Sequence, residues 1–156
     1  MQRYIIVETL IGMAINAAIS AGFVYFVFGG RAEVGLWGAD GLALDFVPQT
    51  FMVALMSVLV PSLLTRRRIA AGAIQARGAP APLPRNLLLR ALLLALIATI
   101  LLGGGATMIL AFLLSGPVAF LTLLPFKIAY GALVSALVTP LALRAALADP
   151  IPEGRS

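Results

Sequence analysis

Residues 91–114 carry no charge, and the only polar side chains among them are Thr99 and Thr107. Crossing about 30 Å of hydrocarbon takes about 20 mostly apolar residues in a helix, so this stretch is long enough to span a bilayer. Three further stretches, at about residues 4–28, 47–65 and 124–143, meet the same requirement. Hydrophobic residues make up 62% of the chain and charged residues 11%, whereas an ordinary soluble domain carries about 25% charged residues. One soluble core of this size could not hide that much apolar side chain. The expected fold is therefore all-α. It is a single polytopic membrane domain over 1–156, with spans at about 4–28, 47–65, 88–114 and 124–143 forming two hairpins.

Charge asymmetry orients the spans. The segment 66–90 holds Arg66, Arg67, Arg68, Arg77, Arg85 and Arg90 without an acid, whereas 29–45 sets Arg31 against Glu33, Asp40 and Asp45. By the positive-inside rule the arginine-rich segment is cytoplasmic, which places both termini inside, in agreement with Arg3 and Arg144. Aromatic residues at the far ends of both hairpins, Phe23 to Phe28, Trp37, Phe46, Phe51, Phe112, Phe120, Phe126 and Tyr130, read as an outer interfacial belt. A cleaved signal peptide is the rival for the first stretch, with Ala18-Ile19-Ser20 as its cleavage site. Glu8 and the apolar run through Phe28 favour a full span. Ten arginines against one lysine, small size and compact loops fit a bacterial inner membrane.

Pro48 and Pro125 suit the first turn of a helix, where a missing donor costs nothing, and this makes Asp45 and Thr122 the expected caps. Pro48, Ser57, Pro61 and Arg66 echo Pro125, Ser135, Pro140 and Arg144 at an offset drifting from 77 to 79 residues. The echo needs gaps and rests on common residue types, so chance is favoured over a parallel repeat. The basic linker 66–86 ends in alternating prolines, which favour a semi-rigid extended segment between the hairpins. Its arginines have no interleaved aromatics and abut a span. They read as an orientation signal with affinity for anionic headgroups, and no nucleic-acid partner is expected.

Small residues supply contact faces where helices meet in lipid. Ala14, Ala18 and Gly22 form one stripe on the first helix, and Gly12, Asn16 and Ser20 run beside it. Gly131 with Ser135, and Ala132 with Ala136, form a face on the fourth. These faces are expected to meet within the bundle, or one of them to form the seam of a homo-oligomer. Gly103, Gly104 and Gly105 at the midpoint of the third span require compensation, either a helix packed on the bare backbone or a bend. The outer loop 29–44 is expected to lie flat on the interface or to form a re-entrant flap, with Asp40-Gly41 as a turn.

Three polar residues stand out as candidates. Asn16, near mid-membrane, needs hydrogen-bond partners, and Ser57, Ser135 or a backbone carbonyl are the expected ones. Glu8 is a lone first-helix glutamate and in this resembles the small multidrug transporters. No other motif of that family follows, so no family is assigned. It reads as a carboxylate in the first helical turn, steadied by nearby arginines. Lys127 is expected within about one turn of the outer helix end, snorkelling to headgroups or pairing with Asp40 or Asp45.

Without cysteine or histidine the chain cannot form a disulfide, a Cys/His zinc site, a His-ligated haem or a Ser-His-Asp triad. No cofactor, metal or catalytic group is expected. The leading expectation is a non-enzymatic accessory or structural subunit, partnered by the bilayer and by itself or another membrane protein. The alternative is a small oligomeric transporter or channel using Asn16, Lys127 and the glycine triplet.

Overall fold

The computed structural model describes residues 2–39, 41–76 and 83–149. Of the described residues, 79% are helical. Among the described residues, four helices are long and apolar enough to cross a membrane: Gln2–Phe28, Leu42–Ala70, Leu87–Leu113 and Phe120–Ala148. This is the make-up of a multi-pass membrane protein.

The helices extend beyond the expected spans. The second begins at Leu42 rather than 47, and the fourth at Phe120 rather than 124. Pro48 and Pro125 consequently lie inside helices, as do Pro61 and Pro140, and the caps are Gly41 and Ala119 instead of Asp45 and Thr122. Leu42-Ala43-Leu44 and Phe120-Leu121 are apolar enough to continue each helix outward. A helix in a bundle tolerates an internal proline when its neighbours shield the freed carbonyl. Asn86 caps the third helix by accepting a hydrogen bond from the Leu89 backbone N–H at 3.1 Å.

The members of each expected hairpin, first with second and third with fourth, are not the closest partners. The first packs along the fourth and the third along the second, while the second and fourth lie against each other in the middle. Two short strands, β1 (Glu33–Val34) and β2 (Val118–Ala119), pair antiparallel and tie the two loops at that end together. The 29–44 segment thus includes a strand followed by a tight approach to the second helix, where the Gly41 N–H donates to Gly38 O at 3.1 Å. Gly38 has φ of 110°, a conformation that glycine adopts without steric cost. Asp40 lies outside the described residues, as does most of the proline run, 77–82.

The glycine triplet divides its tasks. The third helix relaxes into a π-helical turn over Thr99–Gly103, and a Cβ at Gly103 would sit 3.1 Å from Thr50 Oγ1 and 3.3 Å from Phe46 O. Gly103 is therefore a packing glycine against the second helix. Gly104 and Gly105 have nothing within 4 Å of such a Cβ.

Candidate functional site

The seam inside the bundle is built at a spacing of four residues. On the first helix Glu8, Asn16, Ser20, Val24 and Phe28 are buried, with Gly12 between the first two. On the second, Asp45, Gln49, Val53, Ser57, Pro61 and Thr65 repeat the spacing. On the fourth, Lys127, Gly131, Ser135 and Thr139 do so. Residues four apart share one helix face, so three polar faces converge along the interior.

Asn16 stands at the middle of this seam. Its Nδ2 donates to Gly12 O at 2.9 Å and reaches the hydroxyls of Ser57 and Ser135, both at 3.1 Å. Ser135 continues to Thr139 Oγ1 at 3.2 Å. All three kinds of partner expected from the sequence meet at this amide, which links the first, second and fourth helices. The Gly12 carbonyl can only accept, so the nitrogen must face it and the amide orientation is determined. Asn16 Oδ1 is then a buried acceptor without a protein donor.

Lys127 pairs with Asp45, one of the partners expected from the sequence, but it does so in the interior rather than within a turn of the helix end. It lies two turns inside the fourth helix and is fully buried, because that helix starts at Phe120. Its Nζ meets Asp45 Oδ2 at 2.5 Å, too obliquely for a good hydrogen bond, and lies 3.9 Å from the centre of the Phe46 ring. Asp45 was readable as a cap residue; on a helix begun at Leu42 it becomes the buried counter-ion. The contact is a charge pair assisted by an aromatic face. One turn further, Thr50 Oγ1 and Tyr130 Oη share a hydrogen bond of 2.6 Å, and Tyr130 stacks edge-on with Phe46. Gln49 is 1% exposed and neither of its amide atoms has a protein partner.

At the arginine-bearing end Glu8 pairs with Arg68, which also donates to Tyr4 Oη at 3.1 Å, and Tyr4 bonds Thr65 at 2.9 Å. A nearby arginine steadies Glu8 as expected, and it comes from the second helix, but Glu8 lies beyond the first turn of a helix that begins at Gln2. A separate clasp is centred on Asp149, just past the fourth helix. Arg90 forms contacts of 2.6 and 3.2 Å with its two oxygens, and Arg66 adds 2.6 and 2.9 Å. Burial alone would raise the Asp149 carboxyl, but the hydrogen bonds and charges of Arg90 and Arg66 outweigh it and hold it below its ordinary 3.8. Arg90, fully buried, also donates to Pro84 O at 2.9 Å. Arg66, Arg68 and Arg90 of the arginine-rich segment thus also fasten helices to one another within the chain.

The small-residue stripes separate. Gly131 packs directly under Ser20, since a Cβ there would fall 1.9 Å from its hydroxyl and 3.3 Å from Asn16 O. Ala14, Ala18 and Gly22 point away from the bundle, and nothing lies within 4 Å of a Cβ at Gly22. Sequence spacing presented two equivalent stripes on one helix, and only the polar one is internal.

Two cavities adjoin the polar seam. One of about 70 Å³ lies between the first and second helices and is lined by Glu8, Gly12, Asn16 and Ser57 among apolar side chains. Another of about 200 Å³ at the opposite end includes Phe28, Arg31, Asp45 and Pro48. The cavity beside Gly105, about 330 Å³ between the third and fourth helices, is lined almost wholly by aliphatic and aromatic side chains. Among the described residues, no cluster of three acidic side chains suited to a metal ion occurs. The chain matches no family model, no curated protein and no solved structure.

Proposed function

We propose that the protein is a small membrane transport protein that moves a proton or small cation along its buried polar seam. One observation carries this reading. Ionisable pairs sit near both ends of the same seam, Glu8 with Arg68 and Asp45 with Lys127, and Asn16, Ser57, Ser135, Thr139 and Gln49 lie between them. Stability alone accounts poorly for such an arrangement. Replacing a buried ion pair with well-packed apolar residues is often neutral or stabilising, so its retention at membrane depth favours a functional use. Unpaired Gln49 adds to the cost, because a buried amide without partners costs about 2 kcal/mol or more.

A second reading, an accessory subunit acting through helix packing with itself or a partner, draws on a different observation. The Asn16 contacts with Ser57 and Ser135 and the Asp45–Lys127 pair cross between helices, as interhelical glue would. The outward stripe of Ala14, Ala18 and Gly22 would then be its contact face. In either reading we place the protein in a bacterial inner membrane, with both termini and the arginine-rich segment in the cytoplasm.

Purified protein reconstituted into liposomes with an internal pH-sensitive dye, under an imposed potassium diffusion potential, tests the transport reading. Wild-type protein should carry a proton or cation current above protein-free vesicles. Lys127→Gln and Asp45→Asn should abolish it while the helical circular dichroism signal persists. A wild-type flux equal to that of empty vesicles overturns transport and leaves the packing reading.

A further inference from the structure

We infer that the groove between the first and second helices holds a phospholipid with a primary-amine headgroup, its ammonium on Asp45 and its phosphate on Arg31. The inference stands apart from the transport reading and requires no flux. Each of these two helices packs more closely on the fourth than on the other, which leaves them parted on the side away from it. Two cavities lie in the parting, one of about 200 Å³ at the end near β1 and one of about 70 Å³ deeper in.

Bulky side chains four residues apart rim the groove. On the first helix these are Ile11, Ile15, Ile19 and Phe23, and on the second Pro48, Met52, Met56 and Val60. Ile15 is 50% exposed and Met52 45%, so the rims face lipid. Helices that meet in a membrane approach through small side chains instead. The small stripe of Ala14, Ala18 and Gly22 lines neither cavity. The groove therefore suits a slender acyl chain better than another helix. From Val27 at its mouth to Ile15 the first helix rises about 18 Å, and one leaflet of hydrocarbon is about 15 Å deep. An acyl chain anchored at the mouth thus reaches the deeper cleft.

Charge at the mouth sets the headgroup. Arg31 and Asp45 line the same cavity, with Phe23, Val27 and Leu44 among its apolar walls. Asp45 turns Oδ2 to Lys127, and a carboxylate has two oxygens, so the other is left for a second cation. Arg31 holds a contact within the chain, and its guanidinium has five N–H donors, enough to keep a fork for phosphate. A zwitterion with phosphate and ammonium a few atoms apart meets both side chains without adding net charge. A trimethylated ammonium has no N–H to donate to Asp45, and a glycerol headgroup brings no positive charge to it.

Native mass spectrometry of the full chain released from nanodiscs tests the site. The discs carry equimolar phosphatidylethanolamine, phosphatidylcholine and phosphatidylglycerol with matched acyl chains. Wild-type protein should retain phosphatidylethanolamine about tenfold over each of the others, the value of one charge-assisted hydrogen bond. Arg31→Gln should weaken retention while keeping the preference for the amine, and Ile19→Trp, which fills the groove, should remove it. The wild-type comparison needs no variant, so a misfolded protein does not spoil the test. Equal retention of phosphatidylethanolamine and phosphatidylcholine overturns the inference, as does strongest retention of phosphatidylglycerol. Amine-lipid retention untouched by Ile19→Trp places the lipid elsewhere and overturns it too. A lipid-free dimer shows the groove covered by a second copy and overturns it likewise.

Discussion

Lys127 of the fourth helix and Asp45 of the second meet at 2.5 Å with their side chains 0% and 4% exposed. The pair joins the two central helices two turns and one turn, respectively, from their starts. Removing one partner of a buried pair typically costs about 3–5 kcal/mol, because the other charge is left uncompensated. Lys127→Met should therefore destabilise the protein strongly, and Lys127→Met with Asp45→Asn should recover much of the loss. Thermal unfolding in detergent, followed by circular dichroism, gives the comparison. A double variant no more stable than the single one would show that the charges are not coupled.

Glycine positions should divide according to what lies above them. Gly131→Ala drives a methyl group into Ser20 and toward the Asn16 carbonyl, and overpacking of this kind costs about 1–3 kcal/mol. Gly22→Leu meets open space and should leave monomer stability within about 0.5 kcal/mol of wild type, as surface substitutions usually do. If Gly22→Leu instead disrupts an oligomer on size-exclusion chromatography, the outward stripe is a seam between copies.

Asn16→Leu removes an amide that reaches three acceptors on three helices. An interhelical hydrogen bond in a membrane is worth about 0.6–2 kcal/mol, so the variant should lose about that much stability. Asn16→Gln, one methylene longer but chemically alike, should lose less. Equal stability of all three proteins would mean that the amide contributes no net fastening.

The Asp149 clasp has a defined pH dependence. Its carboxyl is held below 3.8 in the folded protein, so the clasp contributes fully above that value. The contribution fades as pH falls from 3.8 through the lower folded value, because the unfolded state takes up the proton first. Asp149→Asn should lower the Tm at neutral pH and flatten this acid limb. A wild-type and variant Tm that fall in parallel from pH 5 to pH 2 would dissociate the carboxyl from the effect.

Orientation is open to chemical labelling. Ala39 and Ala73 are both exposed and lie at opposite ends of the second helix, in a chain without cysteine. Cysteines placed there should react with an impermeant maleimide from opposite faces of sealed vesicles. Reaction of both from one face contradicts a second helix that spans the membrane.

Membrane residence and the four helices were legible in the sequence because lipid demands long apolar segments with internally paired backbones, a local property. The partners of Asn16 were legible for a related reason. Few polar groups exist at that depth, and an amide there must find one of them. The pairing order of the helices lay beyond sequence reasoning. Nothing local distinguishes the stripe of Ala14, Ala18 and Gly22 from that of Gly12, Asn16 and Ser20, and tertiary packing chose the second by seating Gly131 and Ser135 against it. Tertiary structure also decided the charges. The sequence offers Asp45 as a partner for Lys127, but a helix begun at 124 leaves the lysine near the interface and a helix begun at about 47 leaves Asp45 as its cap. Four more helical residues before one span and five before the other carried both inward. Pairing of charges brought inward in this way is the physical reason, because each buried charge requires an opposite one that only the folded chain can bring to it.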